Sequence, residues 1–220
     1  MIVTLDSHHK YDIAHPGSWK EVATGKQPAP FTLISSKDLA DGKYTTSDAE
    51  LLPWAKEYTL ALEAGGRFQL CIWPEHCLIG SPGHNVQPDV QAGLTSWLSR
   101  KGSGRVYWHL KGQNRKTEMY SALKAEVPVP DDPGTHLNTS LLSKILSTPG
   151  KIYVAGQARS HCVAFTVRDL VANLGGRAAG DVVLVRDCMS DVPGFEESGE
   201  KFFDDMEKLG VGFCDSGDVK

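Results

Sequence analysis

Short β-prone runs alternate with helix-periodic segments along this chain, and that alternation limits the fold more than any other feature. Residues 2–5, 69–73, 106–110, 152–155, 182–185 and 211–214 are brief runs rich in Val, Ile, Leu and aromatic side chains. Between them, apolar residues recur at steps of three and four: Leu51, Trp54, Ala55, Tyr58, Leu62, then Val90, Leu94, Trp97, Leu98, then Val163, Val167, Leu170, Val171, Leu174. Ser47 reads as an N-cap of the first helix, with Pro53 tolerated in an early turn and Gly65-Gly66 as its stop. Further helices are expected near 138–146 and over 196–209. Strands alternating with helices give a mostly parallel sheet with both faces covered. The expected class is α/β: three layers, doubly wound, one domain over 1–220.

Composition narrows the function. The chain has 220 residues, enough for one sizeable core, and a formal charge of −4, which provides no concentrated basic face for nucleic acid. No apolar run approaches the roughly 20 residues of a membrane span. The opening Met1-Ile-Val-Thr-Leu-Asp6 has neither the basic nor the apolar part of a secretory leader. Five cysteines, an odd number without such a leader, read as free thiols in a reducing, cytoplasmic setting. Residues 8–44 are polar and rich in Pro and Gly, and are expected to be a long functional loop.

In a doubly wound fold, ligands bind beyond the carboxyl ends of the strands. Those ends carry Asp6 and His8, Trp73 and His76, Lys111, and the turn from Gly156 to Cys162, expected to converge on one crevice. Cys162 opens a helix after a strand and turn, where the helix N-terminus favours thiolate. The competing reading is an inert helical cysteine. Cys71 and Cys77 read as packing residues, and Cys188 and Cys214 carry no signal. Asp6 and His8, two residues apart on an extended segment, point to the same side. With His76 they would make a set suited to Zn, Fe or Mn, with His15 as an outer ligand. The alternative is that Asp6 caps a turn and the histidines are solvated. His84, His109 and His136 read as structural or surface residues. Lys111 beside a cysteine would favour its thiolate, or else is simply solvated. Trp73 either stacks on a planar ligand or packs in the core.

These segments carry a family resemblance. Gly156-Gln-Ala-Arg-Ser-His-Cys162-Val-Ala-Phe-Thr-Val-Arg-Asp169 resembles the nucleophile segment of isochorismatase-like cysteine hydrolases. Trp73-Pro-Glu-His76-Cys77, followed by Gly80-Ser-Pro-Gly83, resembles a motif of their nicotinamidase branch. Asp6-Ser-His8 is similar to that branch's metal-binding pair, and Lys111-Gly112 with Tyr120-Ser121-Ala122 to its catalytic-lysine segment. The order holds from residue 2 to the C-terminus.

The resemblance implies an amidohydrolase that converts nicotinamide, or a related small amide, to the acid and ammonia in pyridine-nucleotide salvage. It implies Cys162 as nucleophile with Lys111 as its charged partner. The amides of Ala158 and Cys162 form the oxyanion hole, behind a cis bond before Ala158. Asp6, His8 and His76 hold one divalent ion (Zn, Fe or Mn), and Trp73, Gln157 and Tyr120 contact the substrate. The implied partner is a small molecule, with neither nucleic acid nor membrane, and a homo-oligomer is compatible.

Two departures from the pattern stand out. The segment between His15 and Trp73 is longer than in compact nicotinamidases, so the lid is expected to differ. The family also begins with a central strand ending in an acid/base Asp, whereas the first recognisable strand here resembles the family's second, so that Asp is expected to be absent. The expectations that follow are an N-terminally incomplete domain with impaired activity, or a non-catalytic homologue that keeps the metal site. Hydrolysis of a different small amide is the third reading.

Overall fold

The computed structural model describes residues 1–65, 68–101 and 105–219. The chain divides into two compact units, Met1–Glu118 with Glu126–Asp131, and Met119–Ala125 with Asp132–Lys220.

In the first unit, β1 (Ile2–Asp6) lies parallel to β6 (Tyr107–Lys111), in a register running from Ile2 opposite Tyr107 to Asp6 opposite Lys111. Parallel strands need a long crossover, which here includes α2 (Leu52–Ala64) and α3 (Pro88–Lys101). The segment expected to be a loop is structured. Within it, β2 (Trp19–Glu21) pairs antiparallel with β4 (Tyr44–Thr46), and β3 (Leu33–Ile34) with β5 (Leu70–Cys71). The short helix α1 (Ser36–Ala40) starts at a capping box made by Ser35 and Asp38. Ile13, Ala14, Trp19 and Ile34 are fully buried, and Trp19 Nε1 donates to the Ile13 carbonyl at 2.6 Å. Their apolar side chains follow no period, so the pattern hides a core contribution that the ribbons assemble.

Ala55, Tyr58 and Leu62 of α2 are buried as their spacing predicts. The helix is preceded by a 3-10 turn capped by Asp48 rather than Ser47, and Gly66 lies outside the described residues. Among the described side chains of α3 only Leu94 is buried, while Val90 is exposed. Periodicity identified an apolar stripe there but not a surface to cover it.

In the second unit β7 (Ile152–Gln157), β8 (Val182–Ser190) and β9 (Gly212–Cys214) form a parallel sheet with β8 in the middle. Val182, Val183, Leu184 and Val185 are all buried, as a central parallel strand requires. Three helices accompany the sheet. The first, α4 (Thr139–Leu146), is capped by Asn138, whose side chain accepts from the Leu141 amide; the others are α5 (Ala164–Val171) and α6 (Glu196–Lys208). The helix expected from His161 begins earlier, with a π-helical turn over Arg159–Val163. The α/β class is as expected, with parallel strands in each unit. Among the described residues β1 pairs only with β6, and β7 only with β8. No helix of the described residues is long and apolar enough to cross a membrane.

Candidate metal centre and thiol turn

In the first unit, the extended backbone that leaves β1 at Asp6 sends Asp6 and His8 to one side and Ser7 to the other. Ser7 is fully buried, and its hydroxyl pairs with His84 Nε2 at 2.7 Å. The His8 amide donates to the Cys77 carbonyl and the Ile79 amide to the His8 carbonyl, both at 3.0 Å. These bonds lay the loop after Trp73 alongside the end of β1 and bring His76 to His8. Cys77 turns that loop at φ 47°, an uncommon conformation for a residue with a Cβ.

Three imidazoles gather there. Ligand atoms of His8, His15 and His76 lie within 4.8 Å of one another, with His8 and His15 buried. Each ring has its Nδ1 against an oxygen acceptor: His8 on Asp12 Oδ2 at 3.0 Å, His15 on the His9 carbonyl at 3.1 Å, His76 on the Pro74 carbonyl at 2.8 Å. An Nδ1–H that donates leaves Nε2 as a bare lone pair, the arrangement in which imidazoles bind metals. His8 Nε2 is buried without a hydrogen-bond partner, yet Asp6 Oδ2 lies 3.2 Å away. A lone pair facing a carboxylate needs a cation between them, and 3.2 Å suits two donors sharing one ion about 2 Å from each. His76 Nε2 is 3.6 Å from the same oxygen, and His15 Nε2 is 3.3 Å from His76 Nδ1. The donor set therefore fits one divalent ion.

Electrostatics agree. Burial pushes the Asp6 carboxyl up, but Lys111 and the imidazoles of His76 and His8 outweigh it and hold it well below the usual carboxylate range. Burial pushes His8 down, yet Asp12, Asp6 and Glu118 more than reverse this and raise it to about 11. The carboxylates thus demand positive charge at His8, supplied by a proton or a metal. Lys111 is buried at the end of β6, and its Nζ donates to Asp6 Oδ1 at 2.8 Å. Gly112, at φ 75°, passes so close that a Cβ would sit 3.1 Å from Asp6 Oδ1.

Asp6, His8, His76 and Lys111 therefore lie together at the end of β1. The sequence reading placed His15 only at the margin and missed Asp12, although an acid four residues after His8 was the available signal. Trp73 is buried, its amide donating to the Ala14 carbonyl at 2.8 Å and its ring meeting Phe31 edge-on at 5.8 Å. Phe31 is exposed at φ 66° and carried no sequence signal.

The thiol turn belongs to the second unit. The Gln157–Ala158 bond is cis, as the resemblance implied. The Ala158 carbonyl accepts from the amides of His161 and Val163, both at 3.1 Å. Cys162 is half-buried within the π turn, a local geometry frequent at functional sites. The other four thiols are all pushed up by burial first, Cys71 to about 11, which keeps them protonated. Tyr120 is buried against His161, with ring centroids 5.3 Å apart, and the neighbouring Ala122 amide donates to Thr166 Oγ1 on α5 at 2.9 Å. Burial pushes His161 down to about 4, against the pull of Asp191. The Gln157 side chain is turned to Ser190, whose amide and hydroxyl both bond its Oε1.

No protein-family model matches the sequence, and no curated protein does. Solved structures do. A nicotinamidase/pyrazinamidase of Acinetobacter baumanii superposes with a TM-score of 0.63 at 19% identity, covering 100% of this chain and 78% of that one. The yeast nicotinamidase Pnc1p gives 0.58 at 17% identity, covering 98% and 79%. Pnc1 of L. infantum, solved with nicotinate, gives 0.50 at 20% identity, covering 98% and 92%. The chain has the α/β fold of the nicotinamidases, the isochorismatase-like hydrolase fold.

Proposed function

We propose that this protein is a nicotinamidase-type amidohydrolase, releasing ammonia from nicotinamide or a related small amide. The observation that carries the reading is the His8–His15–His76 cluster beside the Asp6–Lys111 pair, in a chain with this fold. Two of the similar structures hold pyridine compounds, nicotinate in one and the inhibitor nicotinaldehyde in the other.

Asp6, His8 and His76, with His15 beside them, would hold one ion of Zn, Fe or Mn. When bound, it supplies an electrophilic seat for a substrate's ring nitrogen. Trp73 offers a flat face to the ring. Gln157 has its Oε1 committed to Ser190, so its amide NH2 is the group left to bind substrate, and Tyr120 closes the thiol side. Cys162 sulfur attacks the carboxamide carbon, the C–N bond breaks, and ammonia leaves with the thiol's proton. Water then cleaves the thioester, giving the acid and regenerating the thiol. The amides of Ala158 and Cys162 take the oxyanion, and by the resemblance alone Lys111 would be the cation that favours the thiolate.

The test is ammonia release by the zinc-loaded protein from nicotinamide and from a panel of linear amides. Turnover of nicotinamide, its loss in Cys162→Ala and retained zinc binding in that variant are expected. Equal turnover by Cys162→Ala would overturn the reading. A second reading, a metal-holding protein without turnover, is favoured by β1 pairing with β6 alone among the described residues, which leaves the strand that ends at Asp6 less rigidly held. Bound zinc with a Cys162 no more reactive than the other thiols would select it.

A further inference from the structure

The turn before Cys162 is stitched, side chain by side chain, to the segment that leaves β8. Gln157 Oε1 accepts from the Ser190 amide at 3.1 Å and from its hydroxyl at 2.8 Å. Arg159 Nε reaches both oxygens of Asp191, at 2.9 and 3.1 Å, and its Nη2 also donates to Asp191. Ser160 Oγ accepts from the Val192 amide at 3.1 Å. Three residues of one turn thus engage three consecutive residues of the other, 190, 191 and 192.

Arg159 is the centre of this seam. Its Nη2 also donates to Glu200 Oε1 at 2.7 Å, and its guanidinium lies over the Phe203 ring, 4.7 Å from the centroid. The Arg159 and Asp191 side chains are 15% and 8% exposed, so the fork-to-carboxylate pair is largely out of water, where its planar geometry is most exacting. Gly199, inside α6, is the seat of the pair. A Cβ there would lie 2.0 Å from Asp191 Oδ1 and 2.7 Å from Arg159 Nε. Glycine is a poor helix former, and at this position any side chain would evict the ion pair.

We infer that Arg159, held by Asp191, Glu200 and Phe203, is a positioning residue that fixes the turn carrying Cys162. The inference rests on Cys162 being the nucleophile. Arg159 performs no chemical step, because its partners are carboxylates of α6 and of the β8 exit. Its contribution is the attitude of a sulfur three residues away, where a displacement of about 1 Å costs on the order of a hundredfold in rate.

The experiment measures iodoacetamide alkylation of the full chain, with rates at each cysteine resolved by peptide mass spectrometry across a pH series. Cys188 and Cys214 serve as internal references. In the parent, Cys162 is expected to react fastest. Should it react no faster than Cys188, the nucleophile reading fails and this inference with it. Arg159→Met is expected to slow Cys162 roughly tenfold or more while the reference thiols stay within about twofold. Arg159→Lys, which keeps the charge but not the fork, is expected to fall between. Gly199→Ala is expected to reproduce the Arg159→Met effect. A fast parent Cys162 with an unchanged rate in folded Arg159→Met overturns the positioning role alone. If Arg159→Met does not fold, Arg159→Lys and Glu200→Gln decide, and unaltered Cys162 rates in both overturn it.

Discussion

Asp6 and Lys111 stand directly opposite each other at the ends of two parallel strands, with Nζ 2.8 Å from Oδ1. One carboxylate thus serves three neighbours, the lysine through Oδ1 and the imidazoles of His8 and His76 through Oδ2. Lys111→Met separates these roles. The Asp6 carboxyl loses its main counter-charge against burial, and breaking such a pair costs about 3 kcal/mol in the metal-free protein. Amide turnover is expected to fall about a hundredfold, whereas zinc affinity, measured by chelator competition, holds. Loss of zinc binding would show that the lysine supports the metal centre instead.

Gly112 sits where Asp6 and His8 need room. Alanine there must adopt φ near 75° and bring its Cβ to 3.1 Å from Asp6 Oδ1 and 3.4 Å from His8 Cε1. The backbone penalty alone is about 1–2 kcal/mol. Gly112→Ala is therefore expected to lower both the thermal midpoint and zinc affinity. Gly25 also has positive φ, with nothing within 4 Å of its would-be Cβ. Gly25→Ala should lower the midpoint and leave zinc affinity alone.

Asp12 is fully buried, and its Oδ2 accepts from His8 Nδ1 while its Oδ1 accepts from the Ala14 amide at 3.2 Å. It fixes which His8 nitrogen faces Asp6. Asp12→Asn keeps the shape and removes the charge. Zinc affinity is expected to drop about 10- to 100-fold, the usual cost of losing an outer partner of a ligand. Unchanged affinity would mean that His8 is oriented by packing alone.

How much of this was readable beforehand depended on whether the signal was local. Asp6 and His8 lie two residues apart on one extended segment, so alternation alone placed them on one side, and the run from Val182 to Val185 was legible as a strand, though its central place in the sheet was not. His15 and Asp12 lie in a stretch without period, where only tertiary pairing of short ribbons creates order. The Arg159–Asp191–Gly199 seat joins three points of the chain whose spacing follows no helical or strand repeat. On α3 the stripe of Val90, Leu94, Trp97 and Leu98 was legible, but periodicity cannot say whether a partner covers it, and Val90 is exposed.

His161 gives the fold a defined acid limit. Burial holds its imidazole at about 4, against an ordinary value of 6.5. Its Nδ1 lies 2.9 Å from Ser160 Oγ, and that hydroxyl, already accepting the Val192 amide, has its own proton to donate to an unprotonated Nδ1. The folded value is the depressed one, so between about 6.5 and 4 the unfolded chain binds a proton that the folded chain does not. Stability from this residue is therefore complete above 6.5 and lost as pH falls toward 4. The contribution is on the order of 2–3 kcal/mol. Urea unfolding at about pH 7.5 and pH 4.5 should show a smaller loss on acidification in His161→Phe, which keeps an aromatic ring against Tyr120 and Phe195 but cannot titrate. The carboxylates contribute equally to both proteins, so the difference between the two losses isolates His161. An identical loss in parent and variant would show that its imidazole takes up a proton in the folded protein as readily as in the unfolded chain.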